Sequence, residues 1–193
     1  MDLRRLSIPD VLVLKPRRHA DDRGYFMESY SRAAMATLGL EPVFVQDNLS
    51  LSRQVGTLRG LHYQRPPKAQ AKLIQVIQGR ILDVAVDVRR GSPTYGDHLA
   101  VELSADSGEQ VFVPAGFLHG FVTLDPDTLV LYKVDAPYAP ECEGAVRWDD
   151  ADLGIDWGVS AGDVLLSGKD AVAPAFADFD SPFIYGQPEG DRA

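Results

Sequence analysis

The sequence predicts a mainly β protein, an antiparallel sandwich or barrel with a few short helices. Two observations carry that reading. From Gln46 onward, short apolar or alternating runs recur at regular spacing, each long enough for one strand. Between them stand clusters of Gly, Pro, Ser and Asp, the residues that turn a chain back on itself.

The elements follow in order. The opening VLVLKP reads as extended chain. Ser31 to Leu38, in SRAAMATLGL, is the one helical candidate, with Ser29 or Ser31 capping its start and Gly39 its end. The segment LIQVIQGRILDVAVDV splits at Gln78-Gly79-Arg80, a tight turn. Beyond it Leu82, Val84 and Val86 alternate with Asp83, Ala85 and Asp87, the period of a half-buried strand. Gly91-Ser92-Pro93 and Ala105 to Gly108 punctuate the next two strands, and Gln110–Val113, Gly120–Leu124 and Thr128–Val134 supply three more. From Trp157 the chain mixes short apolar pieces with Pro, Gly and Asp and reads as loops wrapping the β core.

At 193 residues the chain fits a single domain, residues 1–193 with a core at about 11–185, large enough to bury a core without staples. The formal charge of −9 argues against nucleic-acid binding, because the phosphate backbone is repelled, yet leaves room for a small phosphorylated ligand in a local basic cleft. No apolar stretch approaches the roughly 20 residues of a membrane span. MDLRRLSIPD lacks the apolar core and cleavage site of a signal peptide. The single cysteine, Cys142, rules out an internal disulfide and suits a reducing compartment. A cytoplasmic protein that binds neither nucleic acid nor membrane is expected.

Four histidines can each be weighed. His19 and His98 sit in charged, turn-like surroundings and read as surface residues. His62, in LRGLHYQ, and His119, in VPAGFLHGF, are embedded among apolar and glycine residues, where an unpaired imidazole is costly. Each can be a satisfied structural histidine; Arg59 and Lys72 nearby lift His62 above that reading. PAGFLH also matches the PxGxxH pattern of cupin barrels, which supports a jelly roll. A cupin metal site needs an earlier HxH followed by glutamate, whereas this chain has His62-Tyr63-Gln64, so no metal is expected. No GxSxG, P-loop or GxGxxG motif is present, and Ser167-Gly168-Lys169 is a turn too short to be a P-loop. Asp149-Asp150-Ala151-Asp152 lacks the spacing of a calcium loop and reads as a solvated helix start.

Several motifs in order then become specific: DDRGYFMESY, FVQDNLSLS, LRGLHYQRPPKAQAKLIQV, DVAVDVRRGSPTYG, VPAGFLHGF, LYKVDAPYAPECEG, WDDADLGIDW and LLSGKDAVAP. Together, from about Val11 to Tyr185, they resemble the dTDP-4-dehydrorhamnose 3,5-epimerases, dTDP-4-keto-6-deoxy-sugar epimerases of the cupin superfamily. The resemblance implies a jelly-roll homodimer with shared active sites. It also implies inversion of C3 and C5 of dTDP-4-dehydro-6-deoxy-D-glucose, in rhamnose biosynthesis, with no metal or organic cofactor. The C4 ketone acidifies both flanking C–H groups, so removing a proton gives an enolate and returning one to the opposite face inverts the centre.

The resemblance assigns His62 as base with Asp170 as its partner, Tyr132 as proton donor and Lys72 as the positive group for the oxyanion. Those residue types suit the chemistry: an imidazole titrates near neutrality, a phenol stays protonated, and an ammonium stabilises developing negative charge. Arg23, Phe26, Glu28, Gln46, Asp47 and Asn48 correspond to nucleotide-side contacts, with Phe26 a stacking surface for thymine. Arg59 and Lys169 suit the diphosphate or the sugar, while His119, Tyr138 and Glu143 match further ligand-contacting positions. Arg59 and His62 are an odd step apart and would face opposite sides of a regular strand, so a bulge at Gly60 is required.

Three alternatives remain open at this level. A relative can invert C3 alone or C5 alone; a metal-dependent cupin would lose activity on chelation; a non-catalytic sugar-nucleotide binder would normally lack the base or acid, whereas His62, Tyr132, Lys72 and Asp170 are all present.

Overall fold

The computed structural model describes residues 1–187. Two antiparallel sheets face each other as a jelly roll. The first contains, in spatial order, β1 (Asp2–Arg5), β2 (Leu12–Lys15), β10 (Gln110–Val113), β7 (Lys72–Gln78), β12 (Thr128–Val134) and β5 (Gln46–Ser52). The second contains β13 (Glu143–Ala145), β6 (Leu58–Gln64), β11 (Phe117–Thr123), β8 (Arg80–Asp87) and β9 (His98–Ser104). A separate hairpin, β3 (Arg18–Asp21) with β4 (Gly24–Met27), stands apart from both. Among the described residues no helix is long and apolar enough to cross a membrane.

Side-chain alternation sends each strand into two different layers. Between the sheets lie Ile74 and Val76 of β7, Val130 of β12, Ile81 and Ala85 of β8, and Phe117 and Phe121 of β11. The outer face of the second sheet buries Leu61, Val84, Val86, Leu118 and Val122 beneath Leu153, Trp157 and Phe183 from the C-terminal segment. That segment is the wrapping tail the sequence suggests, held in short 3₁₀ turns rather than strands. The outer face of the first sheet buries Leu12, Leu14, Leu73 and Phe112 beneath Met35, Leu38, Leu40 and Phe44.

Met35 lies on α1 (Arg32–Ala36), the single α-helix among the described residues, shorter than the Ser31–Leu38 expected. Ser31 caps it by accepting from the Ala34 N–H at 3.3 Å. Its last turn loosens because Leu38 and Leu40 both turn toward the sheet, with Gly39 between them at φ +76°. Gly79, at φ +80°, turns the chain from one sheet to the other instead of closing a hairpin.

Two local expectations are corrected. The alternating strand β8 is buried on both faces: Asp83 is 1% and Asp87 0% exposed, because the charged side points between the sheets. Asp87 is satisfied there by Arg89, Ser92 and Thr94, which absorbs the DVRRGSPTYG motif into structure. Asp149 to Asp152 form a turn, not a helix start. Buried Asp150 accepts from the Asp152 and Phe176 backbone N–H groups and so ties that turn to the tail.

The expected bulge is present. Between β6 and β11 the register passes from His62↔His119 to Arg59↔Phe121, three residues on one strand against two on the other. Gly60 takes up the extra residue at φ +134°, and a Cβ there would lie 2.6 Å from the Gly120 Cα and 2.9 Å from the His119 carbonyl oxygen. Only glycine fits. Gly60→Ala is therefore expected to cost about 3 kcal/mol or more, from strain plus backbone clash. Gly91→Ala, at φ +83° in open space, is expected to cost about 1 kcal/mol. Thermal unfolding of both variants checks the contrast.

Candidate active site

The bulge brings Arg59 and His62 to the same side of β6, into a chamber of about 320 Å³ between the sheets. Its walls also carry Lys72 from β7, Tyr132 from β12, His119 from β11, Glu143 from β13, and Lys169 and Asp170 from the C-terminal segment. A contiguous recess shares His62, Lys72, Tyr132 and Glu143 and extends to Gln46, Asn48 and Tyr138. His62 and Tyr132 thus stand on opposing sheets, with space for a ligand between them.

Asp170 reaches His62 across 108 residues of sequence, its Oδ1 lying 2.5 Å from His62 Nε2. Local pairing delivers it. Leu165 docks beside the start of β6 through the Leu58 N–H to Leu165 carbonyl bond of 2.9 Å and the Leu165 N–H to Gly56 carbonyl bond of 2.8 Å. Ser167 then turns the chain, accepting the Asp170 N–H at 3.1 Å. With Nε2 engaged by the carboxylate, Nδ1 is the ring nitrogen left to act on a ligand. Burial pulls the His62 pKa below its ordinary value, against the opposing pull of Asp170, so the ring is neutral and basic at pH 7.

The other two polar walls differ in kind. Burial is the main influence on Tyr132 and raises its pKa, which keeps the phenol protonated. Lys72 is half-buried, and loss of solvent lowers its pKa to about 8 although Asp83 and Glu143 oppose the shift. A neutral base, a protonated phenol and an ammonium that still holds its charge at neutral pH therefore share one enclosed volume. Such a set can remove a proton from carbon on one face, supply one on the other and stabilise an oxyanion between. Among the described residues no group of three or more His, Cys, Asp or Glu is arranged to hold a metal ion.

The rim is a chain of hydrogen bonds. Gln46 Nε2 donates to Asn48 Oδ1 at 2.7 Å, and Gln46 Oε1 accepts from the Tyr138 N–H at 3.1 Å. The Tyr138 hydroxyl donates to Glu143 at 3.0 Å, and Lys169 Nζ meets the other Glu143 oxygen at 2.5 Å. Burial would raise the Glu143 pKa, but the bonds from Lys169 and Tyr138 outweigh it and hold the carboxyl below its usual range. Arg59 is held loosely, by 3.4 Å contacts to Ser52 and the Leu51 carbonyl, which leaves its guanidinium available to an anion.

Not every residue singled out in the sequence arrives here. Arg23, Phe26 and Glu28 lie on or just after the β3–β4 hairpin, exposed and outside the chamber of their own chain. Arg23 is tied to Asp21, and Phe26 is 68% exposed. Asp47 faces outward on β5 and binds Lys133 at 2.8 Å. Conversely, Asp83 and Gln64 escaped sequence reasoning. Asp83 Oδ2 lies 2.8 Å from His119 Nε2. Gln64 accepts the Ala139 N–H at 2.8 Å and donates to the Pro137 carbonyl, pinning the segment that carries Tyr138. The available signal for Asp83 was a charged residue inside an apolar strand; Gln64 offered none.

Comparison with known proteins gives a consistent result. The family model for dTDP-4-dehydrorhamnose 3,5-epimerase matches residues 5–178. A relative of that name from Sinorhizobium fredii is 47% identical over 189 residues, covering 96% of this chain and 94% of its own. The crystal structure of the Bacillus anthracis enzyme of that name, with TDP and PPi bound, superposes with a TM-score of 0.87 at 48% identity, covering 90% of this chain and 98% of that one. The Legionella pneumophila dTDP-6-deoxy-D-glucose-3,5-epimerase, in complex with dTDP-4-keto-L-rhamnose, gives 0.91 at 38% identity, over 97% of this chain and 99% of that one.

The pairing of His62 with Asp170 has a direct check. Imidazole NMR should place the His62 midpoint below the ordinary value of about 6.5. Asp170→Asn removes the group that favours the imidazolium, so the midpoint should fall further. An upward movement would contradict the assigned balance of burial against charge.

Proposed function

The chain belongs to the dTDP-4-dehydrorhamnose 3,5-epimerase family, and on that premise we propose that it converts dTDP-4-dehydro-6-deoxy-D-glucose to dTDP-4-dehydro-L-rhamnose. The observation that carries the reading is the convergence of His62, Tyr132 and Lys72 on one chamber from different strands. The C4 ketone of the sugar acidifies the hydrogens on C3 and C5. His62 Nδ1 takes one of them, its positive charge stabilised by Asp170. The electron pair moves into the enolate, whose oxygen is countered by the Lys72 ammonium. Tyr132, on the facing sheet, returns a proton to the opposite face and inverts the centre. Each event leaves an imidazolium and a phenolate, which are reset by exchange with solvent before the second carbon reacts. The same groups serve both carbons because both flank one carbonyl.

Arg59 and Lys169 supply positive charge for the diphosphate, with Gln46, Asn48, Tyr138 and Glu143 holding the nucleotide side and His119 the sugar. The protein acts as a homodimer. Two features support this. On the outer face of the first sheet, Leu49 and Leu51 of β5 and Ile77 of β7 are 65%, 43% and 44% exposed, an apolar patch of the kind that marks association. The exposed β3–β4 hairpin carries Arg23 and Phe26, with Glu28 just beyond, outside their own chain's chamber. In a dimer they reach the nucleotide in the partner's site.

Turnover in D₂O, read by proton NMR, should give product with deuterium at both C3 and C5 and both centres inverted. Stable inversion of one centre alone would exclude the double epimerisation. His62→Ala and Tyr132→Phe should each lower kcat by about 10² to 10⁴. Wild-type turnover by His62→Ala would overturn the mechanism. Sedimentation should show twice the 21.1 kDa chain mass, and Leu49→Asp with Leu51→Asp should shift the protein toward monomer and depress activity.

A further inference from the structure

The chamber's charges are not evenly paired. Glu143 has both oxygens committed, to Lys169 and to Tyr138. Asp170 holds His62. Lys72 forms no hydrogen bond or ion pair through Nζ with any described residue. Asp83, from β8, has one oxygen on His119 and its other, Oδ1, buried with no hydrogen-bond partner. One half-buried ammonium on the chamber wall and one uncommitted carboxylate oxygen behind it therefore occupy the same interior. Asp83 does not line the chamber; it lies behind His119, at 1% exposure.

We propose that Asp83 is a positioning residue that couples Lys72 to His119, its carboxylate fixing the His119 ring while supplying the negative charge that keeps Lys72 an ammonium. Through Oδ2 it sets which nitrogen of His119 carries a proton: with Nε2–H donated to the carboxylate, Nδ1 is the nitrogen left for a ligand. Through its charge it acts on Lys72 without direct contact. The titratable and charged groups around Lys72 are Asp83 from β8, Glu143 from β13, His62 and Arg59 from β6, His119 from β11, Tyr132 from β12, and Lys169 and Asp170 from the tail. Of the carboxylates, Asp83 exerts the largest pull in favour of a charged Lys72, ahead of Glu143. Burial drives the lysine the other way. Without Asp83 an amine would replace the ammonium within the working range of pH, and the enolate oxygen would lose its countercharge.

The inference rests on reading the chamber as a site of enolate chemistry, and its first test needs no turnover. In protein labelled with [¹³C]lysine, the Lys72 Cε resonance should titrate near pH 8. In Asp83→Asn, which keeps the shape and one hydrogen bond to His119, the midpoint should fall by about one unit or more. The alkaline limb of kcat should move by the same amount. At pH 8.5 kcat should drop about tenfold or more, with KM changed less than about threefold, because Asp83 touches no substrate. An unmoved midpoint and an unmoved alkaline limb would falsify the coupling.

Stability gives a second route if Asp83→Asn fails to fold. Lys72→Met leaves the Asp83 carboxylate uncompensated and should lower Tm; adding Asp83→Asn should restore part of the loss, or yield a folded double variant where Asp83→Asn alone is unfolded. Simple additivity overturns the proposal. Wild-type protein without turnover on the keto-sugar would instead remove the functional reading, while the Lys72 titration would still decide the role of Asp83.

Discussion

At Gly60 and Gly120 the backbones of β6 and β11 approach more closely than any Cβ permits, and a register shift of one residue is lodged between them. A strand of period two cannot present residues 59 and 62 on one face. The bulge changes that parity. It leaves Leu58 and Leu61 in the outer apolar layer while Arg59 and His62 both turn inward. The register that sets His62 opposite His119 on one side and Ala145 on the other depends on the same offset. A bulge costs ladder hydrogen bonding, and apolar packing on both faces of the second sheet holds it in place.

The interior between the sheets has to satisfy two demands at once. It is the main apolar core, built on Ile74, Val76, Ile81, Val130 and the two phenylalanines of β11. It also holds a lysine, two histidines, a tyrosine and several carboxylates. Burying ionisable groups is costly unless each has a partner or a shifted pKa. Both solutions are used. His62, His119 and Glu143 take specific partners, whereas Lys72 and Tyr132 take shifts in the directions burial dictates. Those shifts leave a neutral base, a protonated acid and a cation in reach of one ligand, so the electrostatic burden of the core is also its chemistry.

The two outer faces are covered by unrelated means. A short capped helix with its flanks covers part of the first sheet; a long irregular tail covers the second. The tail does more than exclude water. Its Phe176 N–H is anchored on Asp150 in the turn after β13, and its pairing at Leu165 aims Ser167 to Asp170 into the chamber. Removing that anchorage would disturb catalysis and packing together, because one segment serves both.

Much of this was legible in the sequence, for local reasons. Turn residues and strand periods marked Gln110–Val113 and Thr128–Val134 at their observed bounds, and Ser31 marks the helix start through its capping hydroxyl, whereas the helix ends at Ala36 with Thr37 as its cap, short of Gly39. The odd step from Arg59 to His62 by itself demands a bulge at Gly60, and the register shift is found there. What sequence misjudged was the direction and company of charged side chains. Asp83 and Asp87 have the alternation of a solvated strand face and are buried, while Asp149 to Asp152 resemble a helix start and form a turn. The nearness of Asp170 to His62 follows from a tail that returns across 108 residues, and that of Asp83 to His119 from the pairing of β8 with β11. Local preferences act over a few residues, so the chain by itself determined its elements and its chemical vocabulary. Which charges meet was decided by long-range pairing and by what the folded interior shuts away from water.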